Sequence, residues 1–201
     1  MIGVIDYGIG NIQALLNIYK KLNVPAHAAS TPEAIEKASR LILPGVGSFD
    51  WAMETFNASG LREPVTRAVH ERKRPLLGIC IGMHMLARSS EEGTMPGLGW
   101  IDGDVRKFAP RDGLPLPHMG WNEAAPVRRE GLFGGLADDS RFYFLHSYYF
   151  APDRENAVLA NTTYGVPFAS AVACGHVFGV QFHPEKSHAA GIRLLHNFTR
   201  V

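Results

Sequence analysis

Short, wholly apolar runs punctuate the first eighty residues at Ile2–Ile5, Leu41–Leu43 and Leu76–Ile79. After the first of them, Ile12, Leu15, Leu16, Tyr19 and Leu22 recur at three- and four-residue spacing, which predicts a helix with one buried face. Ser30-Thr31-Pro32-Glu33 supplies a capping oxygen, a proline suited to a first helical turn and an early acid, so a short helix is expected to begin there. Fully apolar strands separated by helices imply a parallel sheet covered on both faces, an α/β arrangement. The pattern then changes. Between Val105 and Phe182 the segments Phe142–Phe150, Val158–Thr163 and Phe168–Val172 are rich in aromatic and β-branched residues and are separated by Gly, Pro, Asn and Asp, which predicts mixed or antiparallel strands. From Ala189 to Phe198, Ile192, Leu195 and Phe198 return to helical spacing, and this last helix is expected to close the sheet. No internal repeat, low-complexity tract or linker interrupts the chain.

The 201 residues, 46% of them hydrophobic, suffice for one sizeable core, so a single domain over 1–201 is expected. The 20 basic and 19 acidic residues are dispersed and leave a net charge of +1, with no basic stripe to follow a phosphate backbone, so nucleic acid is not an expected partner. The apolar start meets Asp6 too early for a signal peptide, and no run is long enough to span a membrane. Cys80 and Cys174 form neither a disulfide framework nor a CxxC clip, which fits a reducing cytoplasm.

The strongest chemical signal is Gly78-Ile79-Cys80-Ile81-Gly82, placed between an apolar strand and a helical pattern that runs through Met85 and Leu86. It reads as a nucleophile elbow carrying sulfur: a sharp strand-to-helix turn exposes the side chain, and flanking glycines remove the clashes such a turn creates. The positive end of the following helix would favour thiolate. A thiolate nucleophile requires a base and a group that orients it, and Phe182-His183-Pro184-Glu185 offers both. Pro184 biases His183 to extended geometry, in which side chains two apart share a face, so Glu185 is expected to reach the imidazole. Oxyanion donors are expected from Gly45-Val46-Gly47, which follows a strand, and from the Ile81 amide just after the nucleophile. Other motifs fail. Gln13 stands where a dinucleotide fingerprint needs its third glycine, there is no GxxxxGK[ST] loop, and the nine histidines contain no HExxH and look dispersed, so no metal site is expected.

Together, Gly78–Met83, Pro44–Gly47 and Gln181–Ser187 closely resemble the class I (triad) glutamine amidotransferases. Asp6–Asn11, Pro117–Asn122 and Phe142–Tyr148 are similar to segments of the glutaminase subunits of imidazole glycerol phosphate synthase, and the likeness spans essentially the whole chain. The resemblance implies an open, mostly parallel mixed sheet of flavodoxin-like type flanked by helices. It also implies a triad of Cys80, His183 and Glu185 acting without a cofactor, and glutamine hydrolysed through a thioester. Ammonia would be channelled to a (β/α)8-barrel cyclase partner in a heterodimer, serving histidine synthesis and a purine precursor. By the same resemblance Ser147 and Tyr148 help hold substrate, Asn11, Met119, Trp121 and Asn122 lie at the partner interface, and the strand around Val46 reorients when the partner engages. His84 stands where that family usually has a substrate-binding glutamine. A neutral ring would still donate and accept hydrogen bonds there, whereas a charged one would favour thiolate at Cys80. Asp50–Met53 and Ser147–Phe150 also resemble paralogous glutaminases that supply ammonia to a sugar amidotransferase in surface polysaccharide synthesis, which is the alternative assignment.

Overall fold

The computed structural model describes residues 1–201. Its first half runs β1 (Ile2–Ile5), α1 (Ile12–Lys21), β2 (Ala26–Ala29), α2 (Pro32–Lys37), β3 (Arg40–Gly45), α3 (Phe49–Ala58), α4 (Arg62–His70), β4 (Leu76–Cys80) and α5 (Ile81–His84). The second half runs β5 (Gly103–Lys107), β6 (His118–Glu123), β7 (Ala125–Pro126), β8 (Arg141–His146), β9 (Tyr148–Pro152), β10 (Val158–Tyr164), β11 (Val166–Cys174), β12 (Val177–Val180) and α6 (His188–Phe198). Local chemistry sets the helix starts. The Asn11 side chain accepts from the Ala14 amide at 3.2 Å, and Thr31 accepts from Ala34 at 3.2 Å with Pro32 in the first turn, so both orphan amides are capped.

Eight strands form one sheet in the order β2-β1-β3-β4-β12-β11-β10-β7. The pairs from β2 to β12 are parallel, and those from β12 to β7 are antiparallel. The apolar runs become the strands buried on both faces, every residue of β1 and β4 being buried, as parallel strands between helices require. By contrast β10 alternates buried Ala160 and Thr162 with exposed neighbours, the mark of a sheet with one wet face. One connected core takes in Tyr19, Ile35, Phe168 and Phe198, and the Tyr19 hydroxyl donates to the Leu195 carbonyl of α6 at 3.2 Å. Strand order reverses direction between β1 and β3, and in open α/β sheets the crevice beyond the carboxyl ends at such a switch point receives ligands. The loop after β1, Gly45 at the end of β3, Cys80 at the end of β4 and His183 just beyond β12 all lie at that edge.

Two expectations need correction. The helical pattern after Cys80 gives only Ile81–His84, because Leu86 and Ala87 bond back three residues to Met83 and His84, and this tighter winding ends the helix. A macrodipole from one turn is small, so a thiolate at Cys80 would depend on other groups for its stabilisation. The aromatic segment Phe142–Phe150 is not one strand. The His146 ring bonds the Tyr148 carbonyl at 2.7 Å and bends the chain at Ser147, so β8 pairs with β6 and β9 pairs with β5 in two separate small sheets.

Candidate active site

Cys80 occupies the elbow with φ 54° and ψ −112°, on the positive-φ side that residues with a Cβ avoid. Three glycines make the turn sterically possible. A Cβ on Gly82 would lie 1.9 Å from the Leu43 carbonyl oxygen, one on Gly78 would lie 2.5 Å from the Gly82 oxygen, and one on Gly45 would lie 2.6 Å from the Gly82 nitrogen. The elbow therefore folds directly onto the end of β3, where Gly45 is in register with Cys80. Upstream of that contact, the buried Tyr7 hydroxyl donates to the Pro44 carbonyl at 2.8 Å and ties the first βα loop to the same spot.

His183 reaches the sulfur from the neighbouring strand. Its amide donates to the Tyr143 carbonyl at 2.9 Å, its Nδ1 lies 2.8 Å from Glu185 Oε1, and it lines the same cleft as Cys80. A carboxylate there fixes Nδ1 as the protonated nitrogen and turns Nε2 toward the sulfur. Glu185 does reach the imidazole, but by a different route from the one expected: Pro184–Lys186 is a single 3₁₀ turn, not extended chain, and that turn swings the carboxylate back. Burial alone would lower the His183 pKa. The hydrogen bonds and charges of Cys80 and Glu185 outweigh it and push the ring up to about 10, so an imidazolium persists beside the sulfur at neutral pH.

These groups open onto a cleft of about 270 Å³. Of the residues singled out in the sequence, Val46, Gly47, Cys80, Ile81, His84, Ser147, Tyr148 and His183 line it. Glu185 stands behind His183, and Gly45 behind Val46. The Leu145 carbonyl lies 3.9 Å from the Cys80 sulfur. His84 is 1% exposed, and burial lowers its pKa to about 4 against the raising effect of its hydrogen bond to Gln181. The idea of a charged His84 activating the thiol is thereby overturned: the ring is neutral. Its Nε2 lies 2.8 Å from Gln181 Oε1 and must carry the proton, which leaves Nδ1 as an acceptor.

Glu92 also lines the cleft and was not singled out in the sequence; it is the only carboxylate to do so. Its Oε2 accepts from the Phe49 amide at 3.0 Å, which anchors the side chain across from the elbow. Partial burial raises its pKa against the lowering effect of that amide. In the sequence, Glu91-Glu92-Gly93 reads like any solvated acidic pair, and nothing local marks the second acid. Lys186 and His146 complete the polar lining and were likewise missed as site residues.

The four presumptive interface residues divide. Met119 is 65% exposed and Trp121 39% exposed on the outer face of β6, and Asn11 is exposed at the start of α1. Trp121 stacks on His188 at 5.0 Å, and Met119 pairs across the strands with Leu145, another cleft residue. Asn122 instead turns inward, where its amide nitrogen lies 3.2 Å from His118 Nε2 and 3.0 Å from the Thr163 carbonyl.

The family model "Glutamine amidotransferase class-I" matches residues 3–201, so the thiol and imidazole at the carboxyl edge of this doubly wound sheet belong to a class I glutamine amidotransferase. Among solved structures, one described as a glutamine amidotransferase superposes with a TM-score of 0.75 at 24% identity, covering 99% of this chain and 97% of its own. Curated relatives narrow the family. The imidazole glycerol phosphate synthase subunit HisH of Bdellovibrio bacteriovorus is 52% identical over 100% of both chains, and subunit HisH 2 of Pseudomonas aeruginosa is 48% identical over 100% of both. The chain belongs to this HisH family, the glutaminase subunits of imidazole glycerol phosphate synthase.

Proposed function

We propose that Cys80, His183 and Glu185 are the catalytic residues, and that the ammonia they release passes to a (β/α)8-barrel cyclase subunit bound over the cleft as a heterodimer. The observation that carries the proposal is that the Cys80 thiol and the His183 imidazole share one cleft with the Val46–Gly47 backbone, while Glu185 holds the imidazole from behind at 2.8 Å.

The Cys80 thiolate attacks the side-chain carboxamide carbon of glutamine, and the oxyanion that forms meets backbone donors of the Gly45–Gly47 segment and the Ile81 amide. Imidazolium His183 then protonates the departing nitrogen, ammonia leaves and a thioester to Cys80 remains. Neutral His183 next takes a proton from water, the hydroxide attacks the thioester, and glutamate departs as the thiolate and imidazolium are restored. Glu185 holds the ring in the tautomer that serves both steps. Within the cleft Glu92 is placed to receive the substrate's α-ammonium, while Ser147, Tyr148 and the His84 acceptor orient the rest. No cofactor enters these steps.

Partner binding is assigned to the exposed apolar residues Met119, Trp121 and Leu145 beside the cleft mouth, together with Asn11; half-buried Asn122 supports that strand from within. No helix is long and apolar enough to cross a membrane, and we place the heterodimer in the cytoplasm, with 1–201 as one domain. Glutamate release should be measured with and without the barrel subunit and its nucleotide ligand, with Cys80→Ala as the blank. Strong stimulation that Cys80→Ala abolishes supports the proposal. A slow Cys80-dependent rate indifferent to the barrel subunit sinks the partner assignment and favours a sugar-modifying partner.

A further inference from the structure

Two histidines that the sequence leaves 28 residues apart meet inside the protein. His118 on β6 and His146 on β8 are cross-strand partners, 3% and 6% exposed, with His118 Nδ1 lying 2.9 Å from His146 Nε2. The His118 ring is sandwiched between Phe144 at 4.8 Å and Tyr164 at 4.0 Å, each stacked on it with an interplanar angle of 23°. Such an apolar slot holds the ring neutral and flat.

The proton positions follow from the partners. The Tyr148 carbonyl is solely an acceptor, so His146 Nδ1, 2.7 Å away, carries the proton and His146 Nε2 accepts. His118 Nδ1 must then donate to it, which leaves His118 Nε2 to accept from the Asn122 amide group at 3.2 Å. Asn122 uses its other N–H on the Thr163 carbonyl, while its Oδ1 accepts from the Glu123 amide at 2.9 Å. Every donor in this chain has one acceptor, and the order is directional from Asn122 to Tyr148. One end lies on the strand whose outer face presents Met119 and Trp121. The other holds the bend Leu145–Tyr148, which supplies the carbonyl nearest Cys80 and the cleft residues Ser147 and Tyr148.

We propose that His118 and His146 are positioning residues for substrate: the chain from Asn122 through His118 and His146 to the Tyr148 carbonyl fixes the glutamine-binding bend to the partner-facing strand, and so sets the affinity for glutamine. The inference rests on the reading of the cleft as the glutamine site. His118 lies outside the cleft lining and acts through His146; His146 borders the cleft and holds its wall through the backbone it bends. Fixing that bend in advance removes an ordering step from substrate binding.

The test compares two thiol reagents on Cys80 in a Cys174→Ser background, since Cys174 is an exposed second thiol. One is a glutamine-shaped diazoketone, whose saturation reads the substrate site; the other is iodoacetamide, which reads the thiol alone. His118→Phe keeps the aromatic stack and removes both hydrogen bonds. It is expected to raise half-saturation for the diazoketone about tenfold with the iodoacetamide rate within about twofold, and His118→Gln, able to donate to His146 and accept from Asn122, to recover most of the loss. In the complex with the barrel subunit, KM for glutamine should rise about tenfold while kcat stays within about threefold. Unchanged half-saturation in folded His118→Phe, or equal loss with both reagents, overturns the proposal. Should His118→Phe fail to fold, Asn122→Ala decides: it removes the first donor from outside the core and is expected to shift half-saturation the same way by about threefold, no shift being a refutation. A wild-type protein that the diazoketone labels without saturation would instead defeat the glutamine-site reading itself.

Discussion

The parallel part of the main sheet and the two small sheets beside it hold their functional groups by different means. On the parallel side, from β2 to β12, the proposed nucleophile is placed by backbone and steric exclusion: Cys80 sits at a positive φ beside the close packing of Gly45, Gly78 and Gly82. On the other side, where β5, β6, β8 and β9 form their small sheets, the cleft wall is placed by side chains, through the Asn122–His118–His146 chain and stacked rings. A backbone clash admits no small adjustment, whereas a hydrogen bond or a stack contributes about 1 kcal/mol and can be traded for another. The reaction geometry therefore belongs to the rigid side, and adaptation to substrate and partner belongs to the other.

The contrast can be broken most severely at the sulfur. Cys80→Ala is expected to lower glutamate release by at least about 10⁴-fold with a melting temperature close to wild type; substantial residual turnover would remove the nucleophile from the parallel half. Gly82→Ala should destabilise the protein by more than about 4 kcal/mol in urea unfolding, because its methyl group would meet the Leu43 carbonyl at 1.9 Å. A loss below about 1 kcal/mol would mean that the elbow yields. Glu185→Gln should reduce turnover on the order of 100-fold and bring the His183 ring titration, followed by NMR, down from about 10 toward its ordinary 6.5. Because the folded value is raised, the stabilisation from this pair is fully present below pH 6.5 and disappears as pH rises through about 10.

Acid sharpens the comparison by probing both halves together. Burial lowers His84 and His118 to about 4 and holds His146 well below its ordinary value, so between pH 6.5 and 4 these rings bind more protons in the unfolded chain than in the folded one, and stability falls as pH falls. His84 alone accounts for on the order of 3 kcal/mol across that window, and His84→Gln should flatten the pH dependence of the unfolding free energy in urea by that amount. The smallest effect marks the background: Arg129→Ala breaks an ion pair to Asp138 whose side chains are 72% and 59% exposed, and should change stability by less than about 0.5 kcal/mol.

What the sequence disclosed follows the same division. Cys80 and His183 stand out because glycine and proline, which constrain the backbone directly, bracket them. The parallel strands are legible because burial on both faces leaves uninterrupted apolar runs. The short α5 is not, since its stop depends on Leu86 and Ala87 tightening their bonds to the previous turn. The break at Ser147 is set by the His146 ring folding onto its own strand, and Glu92 is distinguished only by the Phe49 amide it caps, 43 residues away. The histidine pair depends on the register of β6 against β8, which neither strand specifies alone.

The glycine cluster at the elbow also shapes how such a protein can change over generations. Gly45, Gly78 and Gly82 share one small volume, and a methyl group at any of them meets backbone that cannot retreat. No sequence of single tolerated substitutions leads out of that arrangement, so heritable tuning of the reaction is channelled to positions around it, such as Val46, which is 41% exposed, or the cleft-lining His84. Lineages can diverge in how tightly they bind substrate and when they fire while the turn beneath the sulfur stays fixed.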